Sequence, residues 1–89
     1  MSKFEKLIIK LLSGSADGSF SFGELVKILD SLGFTGRIKG SHHIYFKEGV
    51  AEIINIQPKD GKAKPYQIKQ VRELVIKYKL WSDEAGSEI

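Results

Sequence analysis

The sequence predicts an α+β fold in which a helix, three antiparallel strands and a second helix form one small domain, preceded by an extra N-terminal helix. Three observations carry that prediction. Apolar residues recur at helical spacing as far as Leu32, the period shortens between Phe34 and Gln57, and helical spacing returns after Pro65. A chain of 89 residues has room for one modest core. The expected organisation is an amphipathic helix with its linker over residues 1–20, the compact domain over 21–80, and an acidic tail over 81–89.

In the first segment Phe4, Leu7, Ile8, Leu11 and Leu12 fall at i, i+3, i+4, i+7 and i+8, one apolar stripe of an amphipathic helix. Such a short helix is marginal alone in water, so the stripe is expected to pack on the core rather than to serve a dimer or partner contact. Residues 13–19 are rich in Ser and Gly with no apolar period, and read as a flexible linker. Ser21-Phe22-Gly23-Glu24 fits a capping box and starts the next helix. Leu25, Ile28, Leu29 and Leu32 form its apolar face, and Gly33 supplies the left-handed residue that ends it.

Strands are expected at about 34–39, 43–47 and 51–57, joined by Gly40-Ser41 and Glu48-Gly49-Val50. Connections this short imply an antiparallel meander. Phe34, Ile44, Phe46, Ile54 and Ile56 read as core. Ile53-Ile54-Asn55-Ile56 should be the central or best-buried strand, although its run of apolar residues leaves the register ambiguous. After a lysine-rich loop, Pro65 suits a first helical position, and Ile68, Val71, Leu74, Val75 and Tyr78 give the apolar face of the last helix. Trp81 is expected to cover an edge of the core.

Composition narrows the function. With no cysteine there is no disulfide framework, thiolate nucleophile or cysteine-bound zinc, so the cytoplasm is the expected compartment. The run Leu7-Ile8-Ile9 is interrupted by Lys10, and neither a signal peptide nor a membrane span is expected. The net charge of +3 is unevenly spread. Residues 37–80 hold ten Lys or Arg against four acids, whereas residues 1–36 balance and residues 81–89 carry only acids. A basic block that also holds both histidines suits a polyanion such as RNA, set against the plainer reading of a solvated lysine surface.

The stretch Lys39-Gly40-Ser41-His42-His43-Ile44-Tyr45-Phe46 is the candidate working site. Glycine permits a positive φ or a close backbone approach, and a serine hydroxyl can bond an amide or a phosphate oxygen. Histidine, with an ordinary pKa of about 6.5, is the side chain best suited to move protons near neutral pH. Strict alternation would group His42 with Ile44 and Phe46, and His43 with Tyr45 and Lys47, making His43 the exposed one. A turn or bulge at the strand edge can rotate His42 outward instead. Adjacent strand residues point apart, so a two-histidine metal site is disfavoured, and no metal or cofactor is expected. Tyr45 and Tyr66 could stack on bases, but packing and capping are their simpler roles.

The ordered set Ser31-Leu32-Gly33-Phe34, Arg37-Ile38-Lys39-Gly40-Ser41-His42-His43-Ile44-Tyr45 and Lys64-Pro65-Tyr66-Gln67-Ile68-Lys69-Gln70-Val71 resembles the HicA family of toxins from prokaryotic toxin–antitoxin pairs. The resemblance implies the layout of double-stranded RNA-binding domains, with both helices on one face of the sheet. It also implies a metal-independent endoribonuclease that cuts mRNA, a catalytic role for His42, and a HicB-like antitoxin that covers the histidine and its basic rim. Arg37, Lys39, Gly40 and Ser41 are then the RNA-binding candidates beside the histidine. Lys59, Lys62, Lys64 and Lys69 fill the loop and helix start from which such domains contact phosphates. Two other readings stand beside this one: a non-catalytic double-stranded RNA binder, and a protein-interaction module without nuclease activity.

Overall fold

The computed structural model describes residues 2–81; the expected acidic tail lies otherwise outside the described residues. Helix α1 spans Lys3–Ser13, α2 Phe22–Ser31 and α3 Pro65–Lys77, and the strands are β1 Thr35–Lys39, β2 His42–Lys47 and β3 Val50–Ile56. They form the predicted α+β arrangement: a helix, a three-stranded antiparallel meander in the order β1-β2-β3, and a helix, with α1 added in front.

Local chemistry accounts for the element ends. Ser21 accepts from the Glu24 amide at 3.0 Å while Glu24 accepts from the Ser21 amide at 2.9 Å, closing the expected capping box of α2. The same device starts α1 through Ser2 and Glu5. Pro65 occupies the first turn of α3, and the buried Gln67 side chain accepts from the Lys64 amide at 3.2 Å. Gly33, at φ 92°, follows the end of α2.

The helices cover one face of the sheet. Leu7, Ile8 and Leu11 of α1 meet Leu25, Ile28 and Leu29 of α2 and Ile68, Val71 and Val75 of α3, above Tyr45, Ile54 and Ile56 of the strands. The α1 stripe therefore packs on the common core as expected. Trp81 lies half-buried against the same cluster. On the strand side, the Glu52 carboxylate accepts from Lys77 Nζ at 2.8 Å and from the Tyr78 hydroxyl, pinning β3 to the end of α3.

Three expectations change. Residues 13–19 are not a flexible linker: Asp17–Ser19 form a 3₁₀ turn, and Asp17 receives a two-pronged bond from Arg72 of α3 at 2.7 and 3.0 Å. Arg72 also donates to the Leu11 carbonyl at 3.2 Å, and Phe20 is fully buried, so this segment is stitched to both neighbours. Of the two alternatives for Ile53-Ile54-Asn55-Ile56, the best-buried strand holds, with Ile54 and Ile56 fully buried, and the central strand does not: β3 is an edge strand and β2 the central one. Lastly, Phe46 is 37% exposed and Ile44 only half-buried, although both read as core. The side of β2 turned to the helices carries His43 and Tyr45, so Ile44 and Phe46 lie on the open side.

Candidate active site

Pairing explains how His42 reaches the surface. Cross-strand partners share a face, and the register sets Lys39 opposite His42 and Arg37 opposite Ile44, which in turn faces Asn55. These residues occupy the sheet face that, among the described residues, no helix covers. His43 pairs with Ile38 and Ile56 on the other face and meets the Phe22 ring edge-on, with centroids 4.8 Å apart. Alternation thus separates the two histidines as predicted, but with the faces reversed: His42 is exposed and His43 half-buried. No bulge is needed at His42; the register shift lies at Phe46, between Tyr45 and Lys47.

The turn before β2 works as its composition suggests. Gly40 takes φ 62°, which a glycine adopts without strain, and reverses the chain between Lys39 and His42. Lys39, Gly40, His42, Ile44 and Asn55 line a shallow depression on the open face. There His42 Nδ1 lies 3.0 Å from Asn55 Oδ1, and outside that lining Gln57 Nε2 donates to Ser41 Oγ at 2.9 Å. Arg37 lies at the margin with its guanidinium carbon 6.0 Å from the Phe46 ring centroid. Of the eight RNA-binding candidates, Lys39 and Gly40 line the depression with His42, Ser41 precedes it in the chain, and Arg37 shares the open face two residues before Lys39 on β1.

The other four stand elsewhere. Lys59, Lys62 and Lys64 line a second groove together with Asp60, Gly18, Ala63 and Pro65. The groove is closed by backbone bonds, from Ala63 to the Phe20 carbonyl at 3.2 Å and from Phe22 to the Gly61 carbonyl at 3.0 Å. Lys69 is exposed near Asp17 and helps hold that carboxyl below its usual range, after the larger effect of the Arg72 hydrogen bond. Among the described residues, no group of three or more His, Asp or Glu side chains is placed to hold a metal ion.

Compared with known families, residues 22–77 match the HicA toxin of bacterial toxin–antitoxin systems, which is more than half of the chain. The chain belongs to the HicA toxin family. No curated protein and no solved structure gives a match. The HicA match begins at the first residue of α2 and ends at the last residue of α3, so α1 and the 3₁₀ turn lie outside it. Among the described residues no helix is long and apolar enough to cross a membrane. Sequence reasoning about this HicA chain missed Asn55 and Gln57. The sequence marks Asn55 only as the one polar residue in Ile53-Ile54-Asn55-Ile56, between the buried Ile54 and Ile56, and its partner appears once the strands are paired.

Proposed function

We propose that this HicA-family protein is an endoribonuclease that cuts mRNA with His42 as its general base, and that a HicB-like antitoxin silences it by covering this face. The observation that carries the reading is the exposed imidazole of His42 in a depression shared with Lys39, on an uncovered sheet face that also holds Arg37. An RNA backbone can reach such a face without displacing any helix.

The chemistry draws on His42, the ribose 2′-hydroxyl and water. The imidazole takes the proton of a 2′-hydroxyl, and that oxygen attacks the adjacent phosphorus as the bond to the 5′-oxygen breaks. The leaving oxygen takes up a proton from water, giving a 2′,3′-cyclic phosphate and a 5′-hydroxyl end, and the hydroxide left behind takes the proton back from the imidazolium. Lys39 and Arg37 supply positive charge to the phosphoryl oxygens, where charge builds in the transition state. A positioned general base contributes roughly 10²–10⁴-fold to such a step. Lys59, Lys62 and Lys64 of the second groove, with the exposed Lys69 of α3, act as a remote phosphate contact.

The reading is tested by incubating the purified protein with a single-stranded mRNA fragment in excess chelator and analysing the ends. The expected products carry cyclic phosphate, and one 2′-deoxy nucleotide at a cut position abolishes cutting there. Binding of intact RNA with no cleavage would replace the nuclease reading with that of a binding module.

A further inference from the structure

We infer that Asn55 and Gln57 are positioning residues: from β3 and its exit they fix which hydrogen-bond roles His42 and Ser41 have left for RNA. The inference rests on the nuclease reading for its purpose, but not for its chemistry. Asn55 and Gln57 are two residues apart, so they project from the same side of the strand line, and Ser41 and His42 are the two residues they meet. Each bond dictates a complementary consequence.

An amide oxygen can only accept. Its 3.0 Å approach to Nδ1 therefore places the hydrogen of the neutral ring on Nδ1 and the lone pair on Nε2. Free imidazole side chains favour the opposite tautomer, with hydrogen on Nε2, in which that nitrogen cannot act as a base. Gln57 Nε2 can only donate, so Ser41 Oγ is its acceptor and the hydroxyl hydrogen remains available. The pair thus leaves one acceptor, His42 Nε2, and one donor, Ser41 Oγ–H, on consecutive residues of the chain. A ribose 2′-hydroxyl supplies a donor and the neighbouring phosphoryl oxygen an acceptor, the same two roles in reverse. Among the described residues His43 has no such partner, and its ring meets that of Phe22 instead.

The test reads the tautomer directly. In wild-type protein labelled with ¹⁵N-histidine, above the titration range of the ring, NMR is expected to show His42 with hydrogen on Nδ1. Asn55→Ala should return His42 to the Nε2–H form and slow RNA cleavage by roughly three- to tenfold, the worth of one neutral hydrogen bond. Asn55→Asp presents only acceptors, so it should keep the Nδ1–H form. By favouring the imidazolium it should also move the acidic limb of the pH–rate profile to higher pH. Asn55 is exposed, so these variants should fold, and unchanged His43 signals would verify that they do. A wild-type His42 in the Nε2–H form, or a tautomer unchanged in Asn55→Ala, would overturn the inference. The expected tautomers in a protein that cuts no RNA would instead sink the nuclease reading and leave the positioning assignment standing.

Discussion

At Gly36 the sheet has no room for a side chain. A Cβ there would sit 2.7 Å from the Tyr45 ring, which is buried directly across β1 and β2. Gly36→Ala should therefore destabilise the protein by about 1–3 kcal/mol, read as a lower urea midpoint with an unchanged slope. Burial also raises the Tyr45 hydroxyl pKa, with a smaller effect from Asp30. The reversed faces of β2 give a second check. Ile54→Ala, in the core, should cost about 2–5 kcal/mol, whereas Phe46→Ala on the open face should cost no more than about 1 kcal/mol. Reading β2 from its own alternation could not have found this. Ile44 and Phe46 are more apolar than His43, and nothing within six residues of strand tells which side the helices will cover. The decision is made by the whole set Tyr45, Ile54 and Ile56, whose parity becomes visible only once β2 and β3 are paired.

At the scale of elements, helices were the legible part, because capping pairs and apolar stripes are written within a few neighbouring residues. The joint between α1 and α2 was not, because what orders it comes from far along the chain. Arg72 reaches Asp17 across 55 residues of sequence, and Lys10 caps the joint through the Ser19 carbonyl at 2.9 Å and the Phe20 ring at 4.4 Å. The Arg72 hydrogen bond holds the Asp17 carboxyl below its ordinary value of 3.8. The Lys77 hydrogen bond, then that of Tyr78, does the same for Glu52, whose ordinary value is 4.5. In both cases the folded carboxyl stays ionised to lower pH than the unfolded one. Their contribution is therefore complete above those ordinary values and is lost as pH falls through the folded ones. Thermal melts should show stability falling in the acid range below about pH 4, and Asp17→Asn should flatten that fall in part, with Glu52→Gln removing a further share. A melt profile of Asp17→Asn that matches wild type at every pH would refute the role given to the joint.

Across the whole molecule, α1 is part of the fold although it precedes the HicA match. Ile8 and Leu11 are fully buried among α2 and α3, so Ile8→Ala should cost about 2–5 kcal/mol, a large share of the 5–15 kcal/mol typical of a small domain. The fold class was legible because the turn, the basic block and the order of elements agreed, whereas His42 was singled out by the family resemblance, against a strand alternation that favoured His43. Asn55 was not, because a single polar residue in an apolar strand declares a function only when its partner across the sheet is known. Charge divides the surface in a way RNA binding can measure. Removing a lysine that contacts a phosphate should lower the slope of log affinity against log salt by about 0.7 for single-stranded RNA. Lys39→Ala should do so and also slow cutting, while Lys62→Ala, in the separate groove, should change the slope alone. The most direct measurement compares RNA cleavage by wild type, His42→Ala and His43→Ala under one condition. The account predicts a loss of roughly 10²–10⁴-fold in His42→Ala and near wild-type cutting, with reduced thermal stability, in His43→Ala. Full activity in His42→Ala, or loss confined to His43→Ala while the protein remains folded, would contradict it.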